Sequence, residues 1–138
     1  MILGFTGTRK GMIQPQRVEF ISQLYVLTPF SEFHHGDCVG ADAQAHQEIK
    51  TYFPSTFLHV HPPIIDKNRA HCIGHVNYEP KGYLERNEDI VNATSILIAT
   101  PKEMTENTRS GTWHAIRYAI RTMKRVIIIR PNGTVYHE

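Results

Sequence analysis

A short polar segment, Thr6–Gly11, follows the first apolar run of the chain and combines hydroxyl, glycine and cationic residues. Gly7 lets a ligand approach the backbone, Thr8 offers a hydroxyl group, and Arg9 adds positive charge. This composition favours a phosphate group held at the start of the following helix, although an ordinary strand-to-helix turn with glycines has the same appearance. The spacing fits neither the Walker pattern nor the GxGxxG pattern.

A second polar segment, His35–Asp42, contains two glycines and two aspartates. Gly36 and Gly40 bracket a tight turn, and Asp42 stands at the start of the next predicted helix. Asp37 or Asp42 can accept a hydrogen bond from a ribose hydroxyl, or either can cap that helix. The sequence leaves both alternatives open.

A third segment, Ser110–Thr112, stands directly before a helical pattern of apolar residues. Ser110 and Thr112 offer hydroxyl groups, Gly111 removes a side chain, and the helix N-terminus supplies unpaired N–H groups with partial positive charge. We therefore expect the best phosphate site of the chain here, and the plainer alternative is that Ser110 only caps the helix. His114, in the first helical turn, can bind a ligand, act as an acid or base, or be an ordinary surface histidine.

A fourth pair of polar residues, Arg86 and Asn87, lies within a helix predicted over Tyr83–Ala93. Both fall on or beside the apolar face of that helix. Burying such groups is costly unless they are paired, so they either satisfy each other and the backbone or reach a ligand. We favour Arg86 as a clamp for phosphate.

Strands and helices alternate along the chain, and this order places the polar segments at strand ends. Five strands are predicted, over Ile2–Thr6, Glu32–His35, Thr56–Val60, Ser95–Thr100 and Arg125–Arg130. The last helix has a predicted apolar stripe of Trp113, Ile116, Ile120 and Met123. This alternation predicts an α/β fold, a Rossmann-like three-layer sandwich of about five mainly parallel strands in one domain over 1–138. The segment 62–81 has no clear period and is either a functional loop or a missed element.

Composition and charge exclude several classes of protein. Hydrophobic residues make up 41% of the chain and the net charge is only +2, which predicts a packed core and no extended nucleic-acid surface. No apolar run approaches the roughly 20 residues of a membrane span, and the first residues do not have the order of a signal peptide. Two cysteines make no disulfide framework. We expect a cytoplasmic protein without membrane attachment.

The nine histidines and two cysteines raise the alternative of a metal site. His71 and His75 have the spacing of ligands on one helix face, but Gly74 between them disfavours a helix. The sequence contains neither a repeated CxxC pair nor an HExxH motif. It therefore predicts no metal site and no resident cofactor, and it leaves the role of the histidine-rich segment 59–75 open.

Taken together, the polar segments resemble the SLOG superfamily, which includes the LONELY GUY phosphoribohydrolases, DNA-processing protein A and small stand-alone proteins of the YspA/YpsA type. The matching residues are Gly7-Thr8-Arg9, His35–Asp42 in the pattern HGxxxGAD, Arg86-Asn87 with Ile90-Val91, and Ser110-Gly111-Thr112 with Ala115 and Ala119. The resemblance runs over nearly the whole chain and implies a Rossmann-like domain that binds nucleotide-type small molecules, commonly as a homodimer. The expected ligand-binding residues are Gly7, Thr8, Arg9, Gly36, Asp37, Gly40, Asp42, Arg86, Asn87, Ser110, Gly111 and Thr112.

The resemblance also bears on catalysis. Enzymes of this superfamily such as the LONELY GUY proteins carry a PGGxGTxxE motif whose glutamate helps to cleave an N-glycosidic bond. In this chain His114 and Ala115 stand where the acidic residues would fall. The first hypothesis is therefore a sensor, carrier or sequestering protein for a nucleoside phosphate or an ADP-ribose-like ligand. The alternative is a nucleoside 5′-monophosphate N-glycosidase with a displaced catalytic group, for which Asp37, Asp42 and His114 are the candidates. A nucleic-acid-associated module is disfavoured by the small excess of positive charge.

Overall fold

The structure, a computed structural model, describes residues 1–138 and contains seven strands and four helices. The strands are β1 (Ile2–Gly7), β2 (Glu32–His35), β3 (Phe57–Val60), β4 (Val76–Asn77), β5 (Ile96–Thr100), β6 (Arg125–Ile129) and β7 (Val135–His137). The helices are α1 (Gln14–Leu27), α2 (Ala41–Tyr52), α3 (Tyr83–Ala93) and α4 (Gly111–Arg121). None of these helices has the length and apolarity that crossing a membrane requires.

The strands form one sheet in the order β4-β3-β2-β1-β5-β6-β7. The first six strands are parallel, and β7 pairs antiparallel with β6. From β1 the chain moves outward to β4 and then returns to β5, on the other side of β1. The strand order therefore reverses between β1 and β5, where open α/β sheets form a ligand crevice.

The core lies on both faces of the sheet, which confirms the predicted Rossmann-like sandwich. One apolar cluster joins α1 and α2 to the sheet and includes Phe5, Phe20 and Phe33. The other joins α3 and α4 to the opposite face and includes Val91 and Ile116. Residues of β5 and β6 alternate between the two clusters, because successive side chains of a strand point to opposite faces.

The structure differs from the sequence prediction in two details. The sheet has seven strands rather than about five. The sequence prediction missed β4 and β7, because both are short edge strands without an apolar pattern. The predicted stripe of the last helix is also wrong at its end, since Ile120 is 42% exposed and Met123 is 92% exposed. Helix α4 ends at Arg121, and its buried face is completed by the small residues Ala115 and Ala119.

The segment 62–81 contains an element that the sequence prediction missed, and its function as a loop stays a prediction. It includes a single 3-10 turn, Asp66–Asn68, and the edge strand β4, while the rest is irregular. Asn68 also lines the cavity described below. The segment thus extends the sheet edge and borders the candidate site.

Candidate functional site

A cavity of about 790 Å³ opens at the carboxyl ends of the central strands. Its walls come from the loops after β1, β2 and β5, and from α3 and the start of α4. Ten of the twelve predicted ligand-binding residues line it: Gly7, Thr8, Arg9, Gly36, Asp42, Arg86, Asn87, Ser110, Gly111 and Thr112. Segments that are far apart in the sequence therefore meet around one space of ligand size.

The end of β1 is packed so closely that residue 7 has no room for a side chain. A Cβ atom on Gly7 would lie 2.3 Å from the Thr100 hydroxyl oxygen and 2.5 Å from the Ala41 Cβ. The loop is fixed further by the Thr8 backbone, whose N–H donates to the Thr100 carbonyl at 3.1 Å and whose carbonyl accepts from the Ala41 N–H at 2.9 Å. These contacts hold the following Arg9 at the cavity wall.

The start of α4 provides unpaired N–H groups on the other side of the cavity. The Ser110 hydroxyl oxygen accepts a hydrogen bond from the Trp113 N–H at 3.3 Å, so Ser110 caps the helix as the plainer alternative predicted. The N–H groups of Gly111 and Thr112 have no partner within the helix, since the first N–H groups of a helix never do. A Cβ on Gly111 would meet nothing within 4 Å, and the Thr112 hydroxyl makes no hydrogen bond in the protein.

Five cationic side chains line the cavity without any ion-pair partner: Arg9, Lys10, Arg86, Lys102 and Arg109. The carboxylates of the lining are those of Asp42 and Glu103. Glu103 is occupied, because its carboxylate accepts from the Trp113 indole N–H at 3.1 Å and from the Asn107 amide at 3.0 Å. The cavity therefore has an excess of positive charge that attracts an anionic ligand.

Arg86 is 6% exposed and is held largely by the protein itself. Its Nε donates to the Asn87 side chain at 2.9 Å, and its Nη1 donates to the Gly36 carbonyl at 2.5 Å. Its guanidinium carbon also lies 5.3 Å from the centre of the Tyr83 ring. Of the guanidinium nitrogens, Nη2 makes no hydrogen bond in the protein, so it is the atom available for a ligand. Most of the Arg86 donors therefore bind Asn87 and the backbone, which was one of the two alternatives predicted from the sequence.

Gly36 explains how the Arg86 guanidinium fits beside the strand end. A Cβ on Gly36 would lie 2.5 Å from Arg86 Nη1 and 3.0 Å from Asp42 Oδ2. Any other residue would push the cationic group and the carboxylate away from β2. The glycine therefore brings a cation and an anion together at the base of the cavity.

Asp42 is the buried carboxyl group of the cavity, with 5% of the residue exposed. Its Oδ2 accepts from the Cys38 N–H at 3.1 Å, whereas its Oδ1 is buried without a hydrogen-bond partner. Burial raises the pKa of Asp42 to about 6, against the opposing effect of the Arg86 charge. Neither Asp37 nor Asp42 caps α2, whose N-cap is Gly40 and has no side-chain hydrogen bond. The capping alternative is therefore wrong for both aspartates.

Three predicted site residues lie outside the cavity lining: Asp37, Gly40 and His114. Asp37 is fully buried, accepts from the Cys72 N–H at 2.8 Å and lies 3.5 Å from Arg69 Nε. Gly40 has a φ of +92°, and a Cβ there would lie 2.2 Å from the Arg9 carbonyl oxygen. Asp37 and Gly40 therefore shape the loop that carries Asp42, and His114 lies on α4 away from the cavity wall.

The sequence prediction missed several residues of the cavity wall, among them Asn68, Tyr83, Lys102, Asn107 and Arg109. Lys102 and Arg109 flank a polar loop without any periodic pattern, so only their charge next to Ser110–Thr112 was a signal. Tyr83 and Asn68 are joined by a hydrogen bond of 2.5 Å between elements 15 residues apart. Such a contact has no local signature in the sequence.

This architecture defines a Rossmann-like α/β protein with a cationic cavity at the strand-order reversal. The molybdenum cofactor binding protein from the phototrophic bacterium Rippkaea orientalis has a similar structure, with a TM-score of 0.70 and 19% sequence identity. The alignment covers 94% of this chain and 76% of that protein. At this identity the likeness shows the fold. No protein-family model matches the chain, and no curated protein matches its sequence.

Proposed function

We propose that the chain binds a nucleotide-derived small molecule, a nucleoside phosphate or an ADP-ribose-like compound, and acts as a sensor, carrier or sequestering protein. The observation that carries the proposal is the set of five cationic side chains that line one cavity without ion-pair partners. Unpaired cations next to a helix N-terminus favour a phosphate group. The wall of Tyr83 and Ile90 supplies apolar surface for a base or sugar.

Different parts of the cavity wall suit different parts of such a ligand. The cations and the start of α4 suit the phosphate, and the unpartnered oxygen of Asp42 suits a donor such as a ribose hydroxyl. The Rippkaea protein is described as binding the molybdenum cofactor, which supports a ligand of cofactor size for this fold. We also propose that the chain is a divergent member of the SLOG superfamily and, as in that superfamily, forms a homodimer.

Ligand binding is tested with the purified chain and a panel of nucleoside monophosphates, ADP-ribose, molybdenum cofactor and the dephosphorylated nucleosides. Thermal unfolding identifies the compounds that stabilise the chain, and calorimetry gives their affinity. Arg9→Ala and Thr112→Val are expected to weaken a phosphorylated ligand far more than its dephosphorylated form. The matched control is Arg125→Ala, which removes an exposed positive charge outside the cavity. Equal losses for both forms of the ligand would refute the phosphate assignment.

The second candidate function is hydrolysis of a nucleoside 5′-monophosphate at its N-glycosidic bond, and Asp42 is the observation that favours it. A buried carboxyl group with a pKa of about 6 is partly protonated near neutral pH, so it can donate a proton to the departing base. As the N-glycosidic bond breaks, water attacks the anomeric carbon and gives one proton to the Asp42 carboxylate, which restores the acid, while the cations hold the phosphate.

The two functions are distinguished by incubating the chain with the same nucleoside monophosphates and measuring the released free base by chromatography. Stabilisation without release of free base supports binding alone. Release that is abolished by Asp42→Asn but retained by Glu103→Gln supports the hydrolase and identifies its carboxyl group. Release that survives both substitutions would remove Asp42 from the reaction.

A further inference from the structure

A second polar region lies on β2 and β3, on the opposite side of β2 from the packed histidine His35. It consists of Glu32, His34, His59, His61 and Tyr78, and we call it the histidine ladder. The His34 and His59 rings stack with centres 4.1 Å apart, and the His61 and Tyr78 rings do so at the same distance. None of these residues lines the cavity, so the proposed function does not use them.

We propose that Glu32, His34 and His59 form a binding site for a divalent transition-metal ion of the zinc class. A carboxylate oxygen of Glu32 and one ring nitrogen of each histidine all lie within 4.8 Å of one another. Two imidazoles and one carboxylate are a donor set that zinc uses when one coordination position remains open for water. This inference is independent of the cavity and departs from the sequence prediction of no metal site.

The distances within the ladder are close to those of a metal site. Glu32 Oε1 lies 2.8 Å from His34 Nε2 and 3.2 Å from His59 Nε2. Ligand atoms around tetrahedral zinc are separated by about 3.3 Å, given metal–donor bonds of about 2.0 Å. The carboxylate and the two rings therefore need to part by only a few tenths of an ångström around the ion.

The stacking of the two rings requires a larger movement before both can bind one ion, namely the rotation of a ring. An imidazole binds a metal in its own plane, whereas the His34 and His59 planes are inclined by only 15°. His34 is fixed, because its side chain is 3% exposed and bonds to His61. The rotation therefore falls on His59, whose side chain is 13% exposed, and on Glu32, whose side chain is 30% exposed.

The outer partners of the ladder permit the protonation state that a metal requires. A metal on Nε2 needs the proton of each ring on Nδ1. His34 Nδ1 lies 2.9 Å from His61 Nε2, and His59 Nδ1 lies 3.0 Å from the Tyr78 hydroxyl. A neutral imidazole nitrogen and a phenol hydroxyl can each donate or accept, so both rings can keep the hydrogen bond at Nδ1 while Nε2 presents a lone pair. The metal then replaces the contacts between the Nε2 atoms and the Glu32 carboxylate.

A second cluster, His35, His46 and Cys72, also brings three donor atoms within 4.8 Å, but its hydrogen bonds exclude a metal. The Asp37 backbone N–H donates to His35 Nδ1 at 3.0 Å, and a backbone N–H cannot reverse its role. The proton of the neutral His35 ring must therefore be on Nε2, where it is donated to His46 Nδ1 at 2.8 Å. That proton occupies the position that the metal would need.

The test is calorimetric titration of the untagged 138-residue chain with zinc chloride, with unfolding temperature as a second readout. We expect one zinc ion per chain and a higher unfolding temperature, because the ion binds the folded state. Glu32→Gln and His59→Gln are each expected to weaken binding by at least about 100-fold. Tyr78→Phe removes only an outer partner and is expected to weaken it by about 10-fold.

Two control variants and one spectrum make the outcome decisive. Cys72→Ser alters the excluded cluster and His71→Gln removes an exposed histidine, and both are expected to retain affinity within about twofold. With cobalt(II) as the probe, the unmodified chain should show no thiolate-to-metal charge-transfer band. Absence of zinc binding, loss of binding in Cys72→Ser, or a thiolate band would each overturn the proposal. The cobalt spectrum needs no variant, so it tests for a cysteine ligand even where a substitution prevents folding.

Discussion

The cavity and the histidine ladder are both polar regions beside β2, but their hydrogen-bonding groups are arranged in opposite ways. In the cavity, Arg9 and Arg109 have no ion-pair partner and the Asp42 Oδ1 has no hydrogen-bond partner. In the ladder, His34 and His59 have partners at both ring nitrogens. A buried group without a partner, such as Asp42 Oδ1, destabilises a folded protein unless a ligand completes it, whereas the exposed arginines stay hydrated. Paired groups contribute to stability without a ligand.

The comparison shows two ways in which a protein can be prepared for a ligand. The cavity leaves charge uncompensated, so an anion gains the full benefit of several donors. The ladder keeps both ring nitrogens of His34 and of His59 paired, and a metal can enter only because the protons of these rings can be redistributed. It follows that substitutions in the cavity should mainly change ligand affinity, and substitutions in the ladder should mainly change stability.

The largest expected effect is on affinity in the double variant Arg9→Ala/Arg109→Ala. Each lost charge-assisted hydrogen bond costs about 1.5–3 kcal/mol, so affinity for a phosphorylated ligand should fall by about 10²–10⁴-fold. Stability without ligand should be unchanged or slightly higher, because two exposed like charges are removed. Calorimetry and urea unfolding measure the two quantities. A large loss of stability would show that the cations are structural and would break the comparison.

The next effect is on the pH dependence of stability through Asp42. Its folded pKa of about 6 lies above the ordinary value of 3.8, so the folded state binds more protons than the unfolded state between these values. Stability should therefore fall as pH rises from 3.8 to 6, by an order-of-magnitude total of about 3 kcal/mol. Asp42→Asn should remove this component, which makes the variant more stable than the parent at pH 7.5 and similar at pH 4.

Urea unfolding of the parent and of Asp42→Asn across this pH range checks the prediction. Asn retains an oxygen that can accept from the Cys38 N–H, so the backbone of the loop keeps its partner. Other carboxyl groups contribute equally to both proteins and cancel in the difference. A difference in stability that does not change with pH would show that Asp42 is not the titrating group.

The third effect is on stability in the ladder, from His34→Leu. The substitution leaves His61 Nε2 buried without its partner, which costs about 1–3 kcal/mol. Affinity for a phosphorylated ligand should change by less than about twofold, since His34 does not line the cavity. His71→Gln is the control, because His71 is an exposed histidine outside the ladder. A loss of ligand affinity in His34→Leu would show that the two regions are coupled.

Much of the fold was predictable because its central strands have strong local signals. The apolar runs of β5 and β6 and the periodic patterns of the helices predict the order of these elements, and their bounds to within one or two residues. The edge strand β4 has only the exposed residues Val76 and Asn77, and its pairing with β3 depends on a distant part of the chain. Such edge pairing leaves no periodic pattern in the sequence.

The sequence predicted the position of a residue in the cavity wall where residue type suggested contact with a ligand, as for Arg9 and Thr112. The position of a glycine or aspartate was not predictable where the residue shapes or binds the backbone instead of lining the cavity. Asp37 has a φ of +55° and binds the Cys72 N–H, a contact across 35 residues. The sequence could show a motif around Asp37, but it could not show that the carboxyl group faces the segment 62–81 instead of the cavity.

The smallest expected effect on stability is that of Gly111→Ala, and it tests whether the space at the start of α4 serves a ligand. A Cβ there meets no protein atom within 4 Å, so the free energy of unfolding should change by less than about 1 kcal/mol. Gly40→Ala is the matched contrast, because its φ of +92° and the Arg9 carbonyl oxygen at 2.2 Å should make it strongly destabilising. The added methyl group at residue 111 should nevertheless weaken a phosphorylated ligand, since it enters the cavity beside the helix N–H groups. If calorimetry shows unchanged affinity in this stable variant, the phosphate does not lie at the start of α4, and the loop after β1 becomes its site.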